Sequence, residues 1–428
     1  MKYLKLIHLF VLLFYLSSCS LFQLSHINPN DPLYIGTISS SSSQSSISSQ
    51  SSVSSQSSFS SQGSSSSQSS ISSQSSASSQ LSKLYIKGNF SVDPILMIKI
   101  ADGVWQYIIE LKIGIYNFIF DDTTGSIGQY YGSLGWNGGD DLVFTNNSYL
   151  PIKFLFFESN NTYTIENVMD GIFVSKYGDD INNSGLSKDS PVKSVNKAIN
   201  KCLINNKKYI FVESGNFTIA NGGIIIVSNA AIYLNSDCNG IKILGGWDYE
   251  FNSQNSYTIV DVANNNYRVA YINGASGIYF NRIVFTGGNN GNGSGIYAVN
   301  MNNSVFENIK VTNNTGNYGA GIYYSYCNGN IIKGEISYNT ATGSYPAGGI
   351  YFVYSHNNII NAIICNNNAG IGNGTGIYIN HSQSNRIIDS IITNNSSIGS
   401  AFLNANLYFY YDSINYLILS NNIIQSGS

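Results

Sequence analysis

One short phrase constrains this chain more than any other feature of it. Gly295-Ile296-Tyr297 returns as Gly321-Ile322-Tyr323, Gly349-Ile350-Tyr351 and Gly376-Ile377-Tyr378, at spacings of 26, 28 and 27 residues. Between the copies lies an isoleucine-rich stretch closing on Asn314, Asn339, Asn367, Asn395 and Asn422, with Gly288 in the same place 26 residues before Asn314. A repeat of this length is one supersecondary unit that cannot bury its own apolar face, so it must stack on its neighbours. The C-terminal half of the chain is therefore a solenoid.

Aligned on the asparagine, the repeat resolves into columns. Eight positions earlier stand Phe280, Phe306, Ile331, Ile359, Ile387 and Ile414. Five earlier stand Ile283, Ile309, Gly334, Ala362, Ser390 and Leu417, and three earlier Phe285, Val311, Ile336, Ile364, Ile392 and Leu419. Alternation in step predicts one core-facing strand per coil, with like residues stacked about 4.8 Å apart. The asparagines are expected to take left-handed turn geometry and to hydrogen-bond along the stack. Lys310 and Glu335 fall in one outward column on consecutive coils and are expected to pair, which adds ~0–1 kcal/mol.

In the Gly-Ile-Tyr strand, Ile296, Ile322, Ile350 and Ile377 are expected inside with Ala298, Tyr324, Phe352 and Ile379. Tyr297, Tyr323, Tyr351 and Tyr378 then face outward, one above the next. An exposed tyrosine stripe suits an extended glycan or a protein partner, since the ring stacks while the hydroxyl hydrogen-bonds. Cross-coil stacking that only stabilises the sheet explains the same pattern.

Composition narrows the alternatives. With 428 residues, a net charge of −3 and only 10% charged residues, the chain lacks the basic stripe that nucleic-acid binders need. Of the 5 cysteines, Cys202, Cys238, Cys327 and Cys365 lack zinc-ligand spacing and read as buried thiols. No metal or other cofactor is expected.

Residues 1–18 combine Lys2 and Lys5 with an apolar core from Leu6 to Leu16, too short for a stable span, and read as an export signal. Leu16-Ser17-Ser18-Cys19 resembles a bacterial lipobox, which implies cleavage before Cys19 and lipidation of its sulfur. Several acyl chains, at ~0.8 kcal/mol per buried CH₂, hold a protein to a membrane without a spanning helix. Ser20 after the cysteine favours the outer membrane or cell surface. Residues 19–83 form the lipidated start and a tether of almost pure Ser and Gln from Ser39 to Ser82. That tether buries too little to order itself and typically spans ~35–40 Å.

Residues 84–168 carry period-two strands and glycine turns: Leu84-Tyr85-Ile86-Lys87-Gly88-Asn89-Phe90, Gly103 to Ile109, Gly114 to Asp121, and Thr162-Tyr163-Thr164-Ile165. Short, regularly spaced strands argue a small β-sandwich. Their order and phrasing resemble the starch-binding modules of outer-membrane glycan-uptake lipoproteins. The tryptophan those modules place after the opening glycine is missing here, where Ser91-Val92-Asp93-Pro94 follows. Tyr130, Tyr131 and Trp136 offer replacement rings for a sugar, or pack a loop against the sheet.

Residues 169–428 open with a strand at Ile172-Phe173-Val174 and a polar loop. Ser190 and Pro191 read as a helix start, with Val192, Val195, Ile199 and Cys202 or Leu203 on the buried face. Val174-Ser175, Gly178, Asp180, Ser184-Gly185, Ser190-Pro191, Lys193-Ser194, Ala198-Ile199, Tyr209 to Val212, and Ile243-Leu244-Gly245-Gly246-Trp247-Asp248 resemble, in this order, bacterial surface proteins with a pectate-lyase-like fold. The implied architecture is all-β: a right-handed parallel β-helix whose open end is plugged by that one helix, preceded by the sandwich. The Gly-x-Gly-Ile phrases also resemble repeats of polymorphic outer-membrane proteins and autotransporter passengers, although the companion Phe-x-x-Asn motif does not recur. Asp179, Asp180 and Asp189 are either calcium ligands or solvated loop acids, the latter preferred.

Parallel β-helices include pectate lyases and polygalacturonases, so catalysis has to be weighed. Lyases need an acidic cluster with a basic residue, and inverting hydrolases need carboxylates ~6.5–9.5 Å apart. From Ala263 onward the acids are Glu307, Glu335, Asp389 and Asp412, and no two share a column on consecutive coils. His356 and His381 have no carboxylate beside them in sequence, and Trp247-Asp248-Tyr249-Glu250 is expected to be a turn. No catalytic residue is assigned. The expectation is a lipid-anchored surface protein that binds a polysaccharide or a host-surface glycoprotein, an adhesin or glycan-binding protein; a lyase or hydrolase acting on acidic glycans is the alternative.

Overall fold

A computed structural model of the chain describes residues 81, 83–122, 130–132, 135–136, 140–146, 150–343, 347–370, 374–397, 406–410 and 418–425, with the backbone alone at 130, 135 and 136. The export signal, Cys19 and all of the Ser/Gln tether but Leu81 lie outside the described residues, as do Ile414 and Leu417. Two compact units divide between Met169 and Asp170.

The first unit is antiparallel. One sheet runs Ile95–Leu96, Tyr85–Gly88, Gly114–Asp121, Tyr130–Gly132 and Gly135–Trp136, with Leu142–Asn146 also on Gly114–Asp121. The other runs Thr162–Asn167, Ile152–Phe157, Val104–Ile109 and Ile98–Ala101. Alternation turns Phe118 and Phe120 of one sheet toward Phe154 and Phe156 of the other, with ring centroids 5.2 and 4.9 Å apart across the interface. Each such buried ring contributes roughly 1.5–3 kcal/mol, so a small set of aromatics carries the core. It is the expected sandwich.

Among the described residues, the second unit is a parallel β-solenoid with one α-helix. Its longest sheet has 14 strands, from Gly171–Val174 through Val305–Thr312, Ile331–Ser337 and Ile359–Cys365 to Ile418–Ser420 and Ile423–Ile424. A 7-stranded parallel sheet forms another side: Ala230–Asn235, Arg268–Asn273, Ile296–Val299, Ile322–Ser325, Ile350–Val353, Ile377–Asn380 and Leu407–Tyr410. A narrow third side holds Thr315–Gly316 and Thr340–Ala341. Core residues of the two large sheets form one cluster with the buried face of the helix.

The helix is Val195–Ile204, and its N-cap is Ser194, whose hydroxyl accepts from the Lys197 N–H. The expected start at Ser190-Pro191 is corrected. Asp180 fixes the true one by accepting from Lys193 N–H (2.7 Å), Ser194 N–H (3.0 Å) and the Ser194 hydroxyl (2.6 Å). Val192 instead bridges to Val174 beside the first strand. Val195, Ala198, Ile199 and Cys202 are buried while Leu203 is exposed. Cys202, Cys238 and Cys327 are free, buried thiols.

The minus-three column pairs as expected from Phe285 to Ile392, and the minus-five column from Ile309 through Gly334 to Ala362. The minus-eight column does not. Phe306 pairs with Ile332, then Ile360 and Ile387, so Ile331 and Ile359 turn outward. One-residue bulges at left-handed Arg282 (φ 55°), Asn308 (φ 53°) and Asp389 (φ 46°) lengthen some coils by a position. The last coil is displaced too. Leu419 pairs with Ile387 and Ile424 with Ile392, while Asn422 accepts from Ser390 N–H at 2.9 Å.

Asn314, Asn339, Asn367 and Asn395 are fully buried. Each of the first three donates its side-chain amide to the next asparagine's Oδ1 at 2.9 Å. Those oxygens also accept backbone N–H groups from the preceding coil, at 3.1, 3.0 and 2.9 Å. The expected hydrogen-bonded stack is present, but the left-handed residue is the one before it: Asn313, Tyr338, Asn366 and Asn394. A second stack, Asn330–Asn358–Asn385, repeats the pattern at 2.9 and 3.1 Å on the opposite end of the same strands. Two buried amide ladders thus bracket the strands Ile331–Ser337 and Ile359–Cys365 and hold their register.

Candidate functional site

Tyr297, Tyr323, Tyr351 and Tyr378 do lie in one column outside the core, and the structure extends that column. Tyr233 and Tyr271 precede them in register and Tyr408 follows. Successive ring centroids are 5.5, 5.4, 5.3, 5.2, 4.8 and 5.1 Å apart. The added tyrosines escape the phrase search because no Gly-Ile precedes them; a column alignment of Ala230–Asn235 and Arg268–Asn273 finds them.

The expectation of an exposed platform is corrected. Tyr351 and Tyr378 are buried, and Tyr297 and Tyr323 are half-buried. Ala347 and Tyr318 pack over the column, and Arg268 lies 4.6 Å from the centroid of Tyr297. The glycines show why the covering segment fits. A Cβ on Gly319 (φ 52°) would stand 2.8 Å from Cβ of Tyr351, and one on Gly374 (φ 70°) 2.9 Å from Cβ of Tyr408. The first glycine of Gly-x-Gly-Ile thus folds the chain back onto the ring of the next coil. Burial raises the Tyr351 hydroxyl pKa and lifts that of Tyr323 well above the ordinary phenol range. Neighbouring planes meet at 11° and 5° around Tyr351, so its faces are turned to other rings and not to a ligand. This ladder is an outer layer of the scaffold.

A different aromatic column stands in solvent. Three residues after each Gly-Ile-Tyr tyrosine the sheet turns a corner, through Asn300, Tyr326, Tyr354 and His381. Their φ angles are 53°, 54°, 46° and 45°. Tyr326 and Tyr354 stack at 5.1 Å, and Tyr354 and His381 at 5.0 Å. Tyr326 is 53% and Tyr354 40% exposed. The face of Tyr326 toward the preceding coil meets an asparagine position, not another ring.

Left-handed backbone suits Asn or Gly and costs a bulky residue on the order of 1–2 kcal/mol. Asn300 satisfies the corner; Tyr326 and Tyr354 do so at a cost and gain little burial. Left-handed backbone combined with exposed, stacked rings makes this corner the candidate site. Tyr338 repeats the pattern at the other corner, where Asn313, Asn366 and Asn394 surround it. His381 Nδ1 lies 2.7 Å from Asn380 Oδ1, and His356 Nδ1 accepts from Gln383 N–H at 3.0 Å.

The carboxylates are engaged elsewhere. Lys310 bridges Glu335 at 3.0 Å, the expected pair, and Lys333 bridges Glu307 at 3.3 Å on the neighbouring column. Tyr279 donates to Glu307 at 2.8 Å and Ser337 to Glu335 at 2.8 Å. Asp389 accepts from the Asn421 amide at 3.2 Å. Asp179 closes a turn by accepting from Ile181 and Asn182 N–H at 2.7 and 3.1 Å, which holds its pKa below the ordinary value. Among the described residues no cluster of three His, Cys, Asp or Glu side chains is placed to hold a metal ion.

In the first unit Tyr131 is buried against Phe120, Phe156 and Tyr163, which removes it as a sugar platform. It belongs to a hairpin, pairing with Trp136, and not to a loop. The side chains of Tyr130 and Trp136 lie outside the described residues. No protein-family model matches the chain, and the searches of curated proteins and of solved structures also found no match.

Proposed function

We propose that this is a lipid-anchored cell-surface protein that binds a glycan through the aromatic corner of its solenoid and does not turn it over. The observation that carries the reading is the strained, exposed stack of Tyr326 and Tyr354. Aromatic faces and phenol hydroxyls together recognise a pyranose, the ring covering its apolar face and the hydroxyl meeting its rim. The open face of Tyr326 is the first subsite, and the coil spacing sets the direction along which an extended chain would lie.

Lipidation at Cys19 and the Ser/Gln tether are parts of the same proposal. They would hold the solenoid at the outer membrane or cell surface with tens of ångströms of reach, where a polysaccharide or host-surface glycoprotein is met. The lysine-paired Glu307 and Glu335 favour binding over chemistry, since a carboxylate held by an ammonium is a poor general acid.

The test is a glycan array probed with the full-length protein in detergent, followed by product analysis on every glycan retained. Retention without release of oligosaccharides supports the proposal. Release of unsaturated or reducing-end products, with or without calcium, would establish the lyase or hydrolase alternative.

A further inference from the structure

Two exposed tyrosines meet at the N-terminal end of the solenoid, far in sequence from the corner stack. Tyr177 is 76% and Tyr249 66% exposed, yet their rings touch, with centroids 6.0 Å apart and planes at 72°. The edge-to-face contact itself contributes about 0.5–1.5 kcal/mol while most of both rings stays in solvent. Both are held on rigid turns.

The Tyr249 turn is pinned on every side. Trp247 bridges to Gln254, and Asp248 accepts from Asn252 N–H, Ser253 N–H and the Ser253 hydroxyl at 2.9, 2.9 and 2.7 Å. Phe251, in left-handed backbone (φ 56°), is driven into the core against Phe173 at 5.1 Å. Tyr249 is left at the apex. On the other loop, Ser175 accepts from Tyr177 N–H at 3.2 Å and donates to the buried Glu213 at 2.7 Å. Lys176 bridges the same carboxylate at 3.2 Å and places its ammonium 5.7 Å from the Tyr177 ring. Lys188 reaches across to the Glu250 carbonyl at 3.4 Å and ties the two loops together.

The geometry points to a second ligand site here: the perpendicular Tyr177–Tyr249 pair forms a preformed cleft for one or two neutral or amino-sugar rings. Size decides against a protein partner. Two tyrosines bury roughly 300–500 Å², well short of the ~800 Å² per side of a stable interface. Charge narrows the sugar type: Asp179, Asp248 and Glu250 stand within two residues of the tyrosines in sequence, against Lys176, which Glu213 neutralises, and Lys188, which reaches the Glu250 carbonyl, so acids outnumber the free ammonium. A uronic acid would be repelled, whereas hydroxyls and a sugar ammonium find acceptors. Preorganised backbone keeps the ordering cost of binding low.

The site is independent of the corner stack and is tested in its absence. Full-length protein carrying Tyr326→Asn and Tyr354→Asn is titrated calorimetrically with cellohexaose, chitosan hexamer and hexagalacturonate. Binding of cellohexaose or chitosan hexamer at one site per chain, at least tenfold tighter than hexagalacturonate, is expected. Adding Tyr177→Ala or Tyr249→Ala should weaken it at least tenfold with an unchanged circular dichroism spectrum. If the corner variant binds neither sugar, or if the alanine variants bind as tightly as their parent, the inference is overturned.

Discussion

At Tyr324 the solenoid carries a polar atom it does not use. The ring fills the inward column between Ala298 and Phe352, fully buried, and its hydroxyl has no hydrogen-bond partner among the described residues. Leaving such a group unsatisfied costs about 1–3 kcal/mol. Tyr324→Phe keeps the shape and removes the penalty, so thermal unfolding should show an unchanged or higher midpoint; a drop would mean the hydroxyl is bonded. Tyr326, two residues on, is the opposite case. Its ring is in water and its backbone is strained, so the residue at 324 answers to packing and the one at 326 does not. Neighbours in sequence with identical side chains have different reasons to be there.

The tyrosine strand and the segment before it act as one element. Each strand contributes a ring, and the glycine of the preceding segment lets the chain close over the ring of the next coil. Gly319→Ala should therefore destabilise by at least about 1 kcal/mol, since the new Cβ meets Ile322 O at 2.4 Å in left-handed backbone; denaturant titration checks it, and an unchanged midpoint would remove the covering role. The covered ladder also predicts alkaline sensitivity. Tyr323 and Tyr351 have folded pKa values raised above the unfolded value near 10. Above that pH the unfolded chain loses protons that the folded one keeps, so stability is full below pH ~10 and falls as pH rises toward the folded values. Unfolding followed from pH 8 to 12 should show the loss beginning near 10, and replacing Tyr323 and Tyr351 with Phe should blunt it.

For the molecule as a whole, the repeat was legible because an in-register parallel sheet stacks like on like, and the period survives in the letters. Lys310–Glu335 and the asparagine stack followed from the same alignment. Where coils gain a bulged residue, a fixed offset from the asparagine loses register, which misplaced Ile331, Ile359 and Leu419. The helix start was missed because Asp180, distant in sequence, chooses Ser194 over Ser190. The tyrosine column was read correctly in direction and wrongly in exposure, since nothing local to Gly-Ile-Tyr says that another segment covers it. Tyr326, Tyr354 and His381 share a corner but not a letter with Asn300, so a search for phrases passes over them.

Two tyrosine columns run three residues apart along the same coils: one largely covered and structural, the other exposed and proposed to bind. Affinity for the glycan retained by the wild-type protein, measured calorimetrically on paired variants, tests that separation directly. Tyr326→Asn with Tyr354→Asn should abolish binding at the corner while leaving the unfolding midpoint within about 1 kcal/mol equivalent, because Asn relieves the left-handed strain as it forfeits the stack. Tyr351→Ser with Tyr378→Ser should instead lower stability by several kcal/mol and leave the affinity of the folded fraction unchanged. The reverse result, with binding lost only when Tyr351 and Tyr378 are replaced, would contradict the account.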